Sequence, residues 1–91
     1  VRLVGVSADA PADELADTAR RLAGEGAALL GADIDPSSVP FEVSDDQVGE
    51  GYGISTPASD AALRDMARLE GIVLDPTYTA KAAAGMMARA A

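Results

Sequence analysis

The sequence predicts an α/β fold: an open parallel sheet with covering helices, made of three strand–helix units. Two observations carry this. Short apolar runs containing β-branched residues alternate with longer stretches of helical periodicity. Gly, Pro or Asp closes most of these runs, and such residues bound strands and start or stop helices. Alternation of this kind gives parallel strands joined by helical crossovers.

Leu3-Val4-Gly5-Val6-Ser7 reads as the first strand, buried and ending at Asp9. Pro11 suits the first position of a helix, with Asp13 and Glu14 in the turn where the helix dipole favours acids. Leu15, Ala19, Leu22 and Ala23 carry the helical spacing toward Leu30, and Gly31 stops it. Residues 31–40 form a loop with Pro36 and Pro40 as breakers. Phe41-Glu42-Val43 alternates as a second short strand, and the glycine-rich Gly49–Gly53 loop follows it. Thr56 caps a helix that has Pro57 at its first position, an apolar face of Leu63, Met66 and Ala67, and its end at Gly71. Ile72-Val73-Leu74 is the best strand in the chain by pattern. A last helix runs from about Tyr78, with Ala82, Gly85, Met86 and Arg89 on one stripe.

Composition narrows the function. The 91 residues suffice for one small domain. A formal charge of -8 opposes phosphate backbones and anionic membrane surfaces, so neither nucleic acid nor membrane is expected as a partner. With no Cys and no His, the chain has no thiolate nucleophile, no ordinary zinc site and no His-based triad, and no metal is expected. The lack of Cys fits a cytoplasmic protein. One Phe, no Trp and many alanines leave few side chains that bury much area. Such a chain supplies one side of a core more readily than a whole one, and it opens directly on a strand. It reads as a piece of a longer protein.

Tyr52 and Tyr78 are the only tyrosines, and both fall just after predicted strands, where ligands gather in open α/β sheets. Flanking glycines let the backbone of Tyr52 come close to a ligand while the ring projects. The glycine loop matches neither a Walker motif nor a dinucleotide fingerprint. Lys81, the only lysine, reads as an exposed helix residue with Asp75 among its surface partners. Asp45-Asp46 with Glu42 lacks a calcium-loop pattern and reads as a solvated edge.

The segment Val48–Met87 resembles the D-cysteine desulfhydrase / 1-aminocyclopropane-1-carboxylate deaminase family. The motifs are Gly51-Tyr52-Gly53, Ala67-Arg68-Leu69-Glu70-Gly71 and Asp75-Pro76-Thr77-Tyr78-Thr79-Ala80-Lys81-Ala82. Ala80 stands where the family has glycine, and Ser55 where proline is common. The upstream "VRLVGVSAD" fits the same family loosely.

The resemblance implies a pyridoxal 5'-phosphate enzyme of the tryptophan-synthase-β-like fold (fold type II), with residues 1–91 as the C-terminal portion of its large cofactor-binding domain, incomplete at both ends. It implies Tyr78 and Tyr52 as catalytic residues, and Tyr78 and Thr79 beside the cofactor. It places the Schiff-base lysine and the phosphate loop upstream of Val1, and a His-Thr-Gly-Gly motif downstream of Ala91. Lys81 is therefore not the Schiff-base residue. The expected reaction eliminates sulfide, or a related β-substituent, and ammonia from a small amino acid. The expected assembly of the full-length enzyme is a homodimer, and the 91 residues alone are expected to be inactive. Thr79 points toward the desulfhydrases, since the deaminases resembled here carry Glu at that place. A deaminase, a cysteate sulfo-lyase, and a non-catalytic α/β binding module are the alternatives.

Overall fold

The computed structural model describes all 91 residues, Val1–Ala91. Its elements in order are strand β1 (Leu3–Val6), helix α1 (Ala12–Leu30), a 3₁₀ turn (Pro36–Ser38), strand β2 (Phe41–Ser44), helix α2 (Pro57–Asp65) with a wider π-helical turn (Met66–Glu70), and helix α3 (Thr79–Ala90). β1 and β2 pair in parallel, with Leu3 opposite Phe41 and Val6 opposite Ser44. α1 is the crossover between them. The α/β class and the parallel sheet of the sequence reading therefore hold, but the sheet has two strands rather than three.

The missing strand is Ile72-Val73-Leu74. Its residues pair with no strand, and Val73 is 90% exposed. A strand exists only through a neighbour that takes its N–H and C=O groups, and this chain offers none there. β1 also departs from expectation. Leu3 and Val4 are exposed, Gly5 and Val6 half-buried, and only Ser7 beyond the strand is buried.

Helix boundaries follow local chemistry. Thr56 and Ser59 form a reciprocal capping box, with the Ser59 N–H donating to Thr56 Oγ1 at 3.0 Å and the Thr56 N–H donating to Ser59 Oγ at 2.9 Å. α1 begins one residue later than expected. Pro11 is extended, and the Ala12 N–H donates to Asp45 Oδ2 at 2.9 Å. An acidic side chain from the loop after β2 thus caps the crossover helix, so Asp45 is not merely part of a solvated edge. Its neighbours are engaged too: Glu42 pairs with Arg2 and with Arg89, each at 2.7 Å. Gly31 and Gly71 end their helices in the left-handed conformation.

The core is small and lies between α2 and α3. Ala62, Ala83 and Ala84 are buried together, with Met66, Leu74 and Met87 packed around them. On α2 the inward residues are Ser59 and Ala62, whereas Leu63 and Met66 are half-buried and Ala67 is exposed. On α3 the buried face is Ala80, Lys81, Ala83, Ala84 and Gly85; of the expected stripe, Ala82, Met86 and Arg89 lie outside it. Gly85 is where α3 meets β1: a Cβ there would sit 2.8 Å from a Val6 methyl. No residue of α1 is buried, and Leu22 joins Leu29 and Leu30 in facing outward. No helix is long and apolar enough to cross a membrane.

The shape matches this thin packing. The radius of gyration is 15.0 Å, against about 12 Å for a compact domain of this length. Only 8 of 91 residues are buried. On its own, the chain is expected to unfold over a broad temperature range and to aggregate, as followed by circular dichroism and light scattering. A sharp, reversible transition of the monomer would show that the small alanine core suffices.

Candidate active site

The two tyrosines come together. Their hydroxyls share a hydrogen bond, and the rings meet edge to face with centroids 5.8 Å apart and planes at 61°. They line a cleft of about 470 Å³. Val6, Ser7, Ala8, Asp9 and Ala10 form one wall, at the carboxyl end of β1, and Thr79 and Ala82 lie beside the tyrosines. This is the position at which parallel sheets present ligands. Both rings are about half exposed, Tyr52 at 56% and Tyr78 at 54%.

Each tyrosine is held by its own piece of local structure. Tyr78 stands at the entry to α3, in a turn organised by Asp75. The Tyr78 N–H donates to Asp75 Oδ2 at 2.6 Å, and the Thr79 N–H donates to Oδ1 at 3.0 Å. The Thr79 hydroxyl donates to the same Oδ1 at 2.6 Å and accepts from the Asp75 N–H at 2.8 Å. These bonds to the ionised form hold the Asp75 carboxyl down at about 2; the Thr79 hydroxyl contributes most, followed by the Tyr78 and Thr79 amides. Thr79 therefore reaches the cleft, but its hydroxyl is engaged with Asp75.

Tyr52 rides on the Gly49–Gly53 loop. Gly49, Gly51 and Gly53 all have positive φ. Gly49 has a second constraint, since a Cβ there would run into the Thr56 methyl at the cap of α2. Two bonds from α3 secure this loop. The ammonium of Lys81 donates to the carbonyl of Val48 at 2.9 Å and to that of Gly51 at 3.0 Å.

Lys81 corrects the sequence reading. It is 0% exposed rather than a surface residue, and it forms no ion pair with Asp75. No motif signals this, because its partners are backbone carbonyls, which every residue carries. The wall from Ser7 to Ala10 was also missed. The buried Ser7 hydroxyl donates to the Ala10 carbonyl at 2.6 Å and accepts the Asp9 N–H at 3.1 Å, which bends this wall round the cleft.

The Tyr78 phenol is pushed above its ordinary value. The hydrogen bond with Tyr52 is the main cause, followed by loss of solvent and by the negative charges that Asp75 and Asp9 place nearby. Tyr78 thus keeps its proton at neutral pH. No group of three or more His, Cys, Asp or Glu side chains is placed to hold a metal ion.

Comparison with known proteins finds relatives among curated enzymes. Over 85 residues the chain is 36% identical to a D-cysteine desulfhydrase of Yersinia enterocolitica, an overlap covering 93% of this chain and 25% of the relative. Over 47 residues it is 51% identical to a Thermotoga maritima protein provisionally named a 1-aminocyclopropane-1-carboxylate deaminase, covering 52% of this chain and 15% of that one. The resemblance to this enzyme family holds. No family model matches the chain. The chain spans a quarter or less of the length of these curated relatives. Both are named as enzymes, one a desulfhydrase and the other a deaminase, and enzymes of these families generally use pyridoxal phosphate.

Two titrations test the site. The Tyr78 phenol is expected to ionise above about 10, the usual tyrosine value, and to move back toward it in Tyr52→Phe. Phenolate absorbance against pH reads this directly; an unchanged midpoint would mean that the hydroxyl bond does not form. The Asp75 group, depressed from its ordinary 3.8 to about 2, stabilises the fold above its unfolded value, and that contribution is lost as pH falls through about 2. In Asp75→Asn this acid dependence is expected to vanish from the pH profile of α3 helicity measured by circular dichroism.

Proposed function

We propose that this chain forms the C-terminal portion of the cofactor-binding domain of a pyridoxal-phosphate-dependent lyase of the D-cysteine desulfhydrase type. In this reading the domain has the tryptophan-synthase-β-like fold, and the enzyme is a cytoplasmic homodimer. With water, it converts a small β-substituted amino acid to a 2-oxo acid, ammonia and the released substituent, sulfide in the case of D-cysteine. The meeting of Tyr52 and Tyr78 in one cleft at the end of β1 is the observation that supports it most. The relative named for this activity also aligns with nearly the whole chain.

The donor set in the cleft suits the aromatic part of the cofactor. Two phenol rings and the apolar side chains of Val6, Ala8 and Leu15 can line a flat ring. No Lys or Arg lines the cleft, so a phosphate group has no cationic partner among these residues. That part, and the lysine that carries the cofactor, would come from outside the 91 residues. When bound, pyridoxal phosphate supplies an electron sink that eases loss of the substrate's α-proton.

The chain's own residues then have distinct tasks. Tyr78 offers its ring to the cofactor and its protonated hydroxyl to the reacting atoms. Tyr52 orients the substrate or gives a proton to the departing β-substituent through its hydroxyl. Asp75 and Thr79 fix the turn from which Tyr78 projects. Thr79 serves the cofactor only as a wall of the cleft while its hydroxyl stays with Asp75. A threonine at this place cannot hold a ring nitrogen protonated as a carboxylate would, which favours the desulfhydrase over the deaminase. The 51% identity to the Thermotoga protein keeps the deaminase as the second reading.

The deciding experiment loads the full-length protein with pyridoxal phosphate. It then assays D-cysteine, L-cysteate and 1-aminocyclopropane-1-carboxylate. Sulfide release from D-cysteine is expected; turnover of none of the three would overturn the lyase reading. Tyr78→Phe is expected to keep the cofactor, judged by its absorbance, and to lose on the order of 10²-fold in turnover if its hydroxyl moves a proton. Tyr52→Phe is expected to lower kcat or raise KM with cofactor binding intact. Wild-type kinetics in both variants would reduce the tyrosines to walls of a pocket.

A further inference from the structure

We propose that Lys81 is the positioning residue for Tyr52: its buried ammonium ties the glycine loop to α3, so that the Tyr52 hydroxyl meets that of Tyr78. The catalytic part of this role rests on the lyase reading above; the tether itself does not.

Three features set Lys81 apart. It is fully buried, yet no carboxylate lies within ion-pair distance. It occupies the first turn of α3, where the helix dipole disfavours positive charge. Both of its acceptors belong to one loop, and one of them, the Gly51 carbonyl, directly precedes Tyr52. A buried charge without a counter-ion is unfavourable unless hydrogen bonds compensate it. Here that compensation comes entirely from the segment that carries Tyr52.

The connections form a closed circuit. From α3, Lys81 reaches back to Gly51; one residue on, Tyr52 reaches across to Tyr78; and Tyr78 leads back into α3. The spacing follows from the helix. Tyr78 and Lys81 are three residues apart, one near-complete turn, so the two side chains leave the same end of α3 toward the same loop. Little else orders the loop between Val48 and Thr56: the Ile54 N–H to the Gly51 carbonyl, at 3.3 Å, is its single internal backbone bond. Without Lys81, Tyr52 would hang from a chain of left-handed glycines, tied only through its own hydroxyl.

The test uses the full-length protein carrying Lys81→Met, which keeps an apolar stem and removes the donors. The phenolate absorbance that Tyr78→Phe removes identifies the Tyr78 titration, and in Lys81→Met its midpoint is expected to fall as it does in Tyr52→Phe. Cleavage within residues 49–53 by a non-specific protease is expected to rise several-fold, with cofactor absorbance retained. On the substrate that the wild type turns over best, Lys81→Met is expected to lose on the order of 10-fold to 100-fold in kcat. In a Tyr52→Phe background it should cost almost nothing further, because it acts through that hydroxyl.

A folded Lys81→Met protein with an unchanged Tyr78 titration, or with losses that add to those of Tyr52→Phe, would overturn the proposal. If the variant does not fold, acylation of the wild type decides, followed at the Lys81 peptide by mass spectrometry. Protection relative to the same peptide in urea-unfolded protein supports the tether, and equal reactivity overturns it. If the titration and cleavage respond while no substrate is turned over, the tether stands and the lyase reading fails.

Discussion

A single ammonium group organises the site. Lys81 has no carboxylate partner and no solvent, so its charge is satisfied by the backbone of the Val48–Gly51 segment. The demand runs both ways. The lysine needs those carbonyls, and the glycine loop needs something to hold it, since its own side chains pack against little. Charge-assisted hydrogen bonds contribute about 1.5–3 kcal/mol each, more than the isolated contacts elsewhere on this open surface. Most of the remaining geometry of the cleft depends on that contact, because it fixes where the ring of Tyr52 can be.

The other side of the cleft is organised by different means. Asp75 gathers the donors of the turn that precedes α3, all within four residues of itself. Tyr78 is therefore placed by local chemistry, whereas Tyr52 is placed by a contact 30 residues away in sequence. Ser7 and Asp45 extend the pattern. Ser7 bends the wall after β1, and Asp45 caps α1 from the loop after β2. Short polar side chains set these loop ends where apolar packing is scarce.

The difference between local and distant contacts also decides what could be read in the sequence. The ends of α2 were legible, because Thr56, Pro57 and Gly71 act on their own neighbours. The two tyrosines were legible as a pair through their places after strand-like runs, and the motifs around them carried the family resemblance. Ile72-Val73-Leu74 was misread for the opposite reason: its pattern is that of a strand, but pairing belongs to a partner and not to the segment itself. Lys81 was misread because its partners are the backbone carbonyls of Val48 and Gly51, which leave no charged partner to search for.

The glycines of the Tyr52 loop have a further consequence. Glycine gives up more conformational freedom on ordering than any other residue, and fixing one residue's backbone costs about 1–2 kcal/mol. Ordering Gly49, Glu50, Gly51, Tyr52 and Gly53 therefore opposes the bonds from Lys81. The held form of the loop has these bonds made, and a released form would lack them. A molecule that settles between the two phenols adds its contacts to the held form alone, so its apparent affinity includes the work of closing the loop over itself.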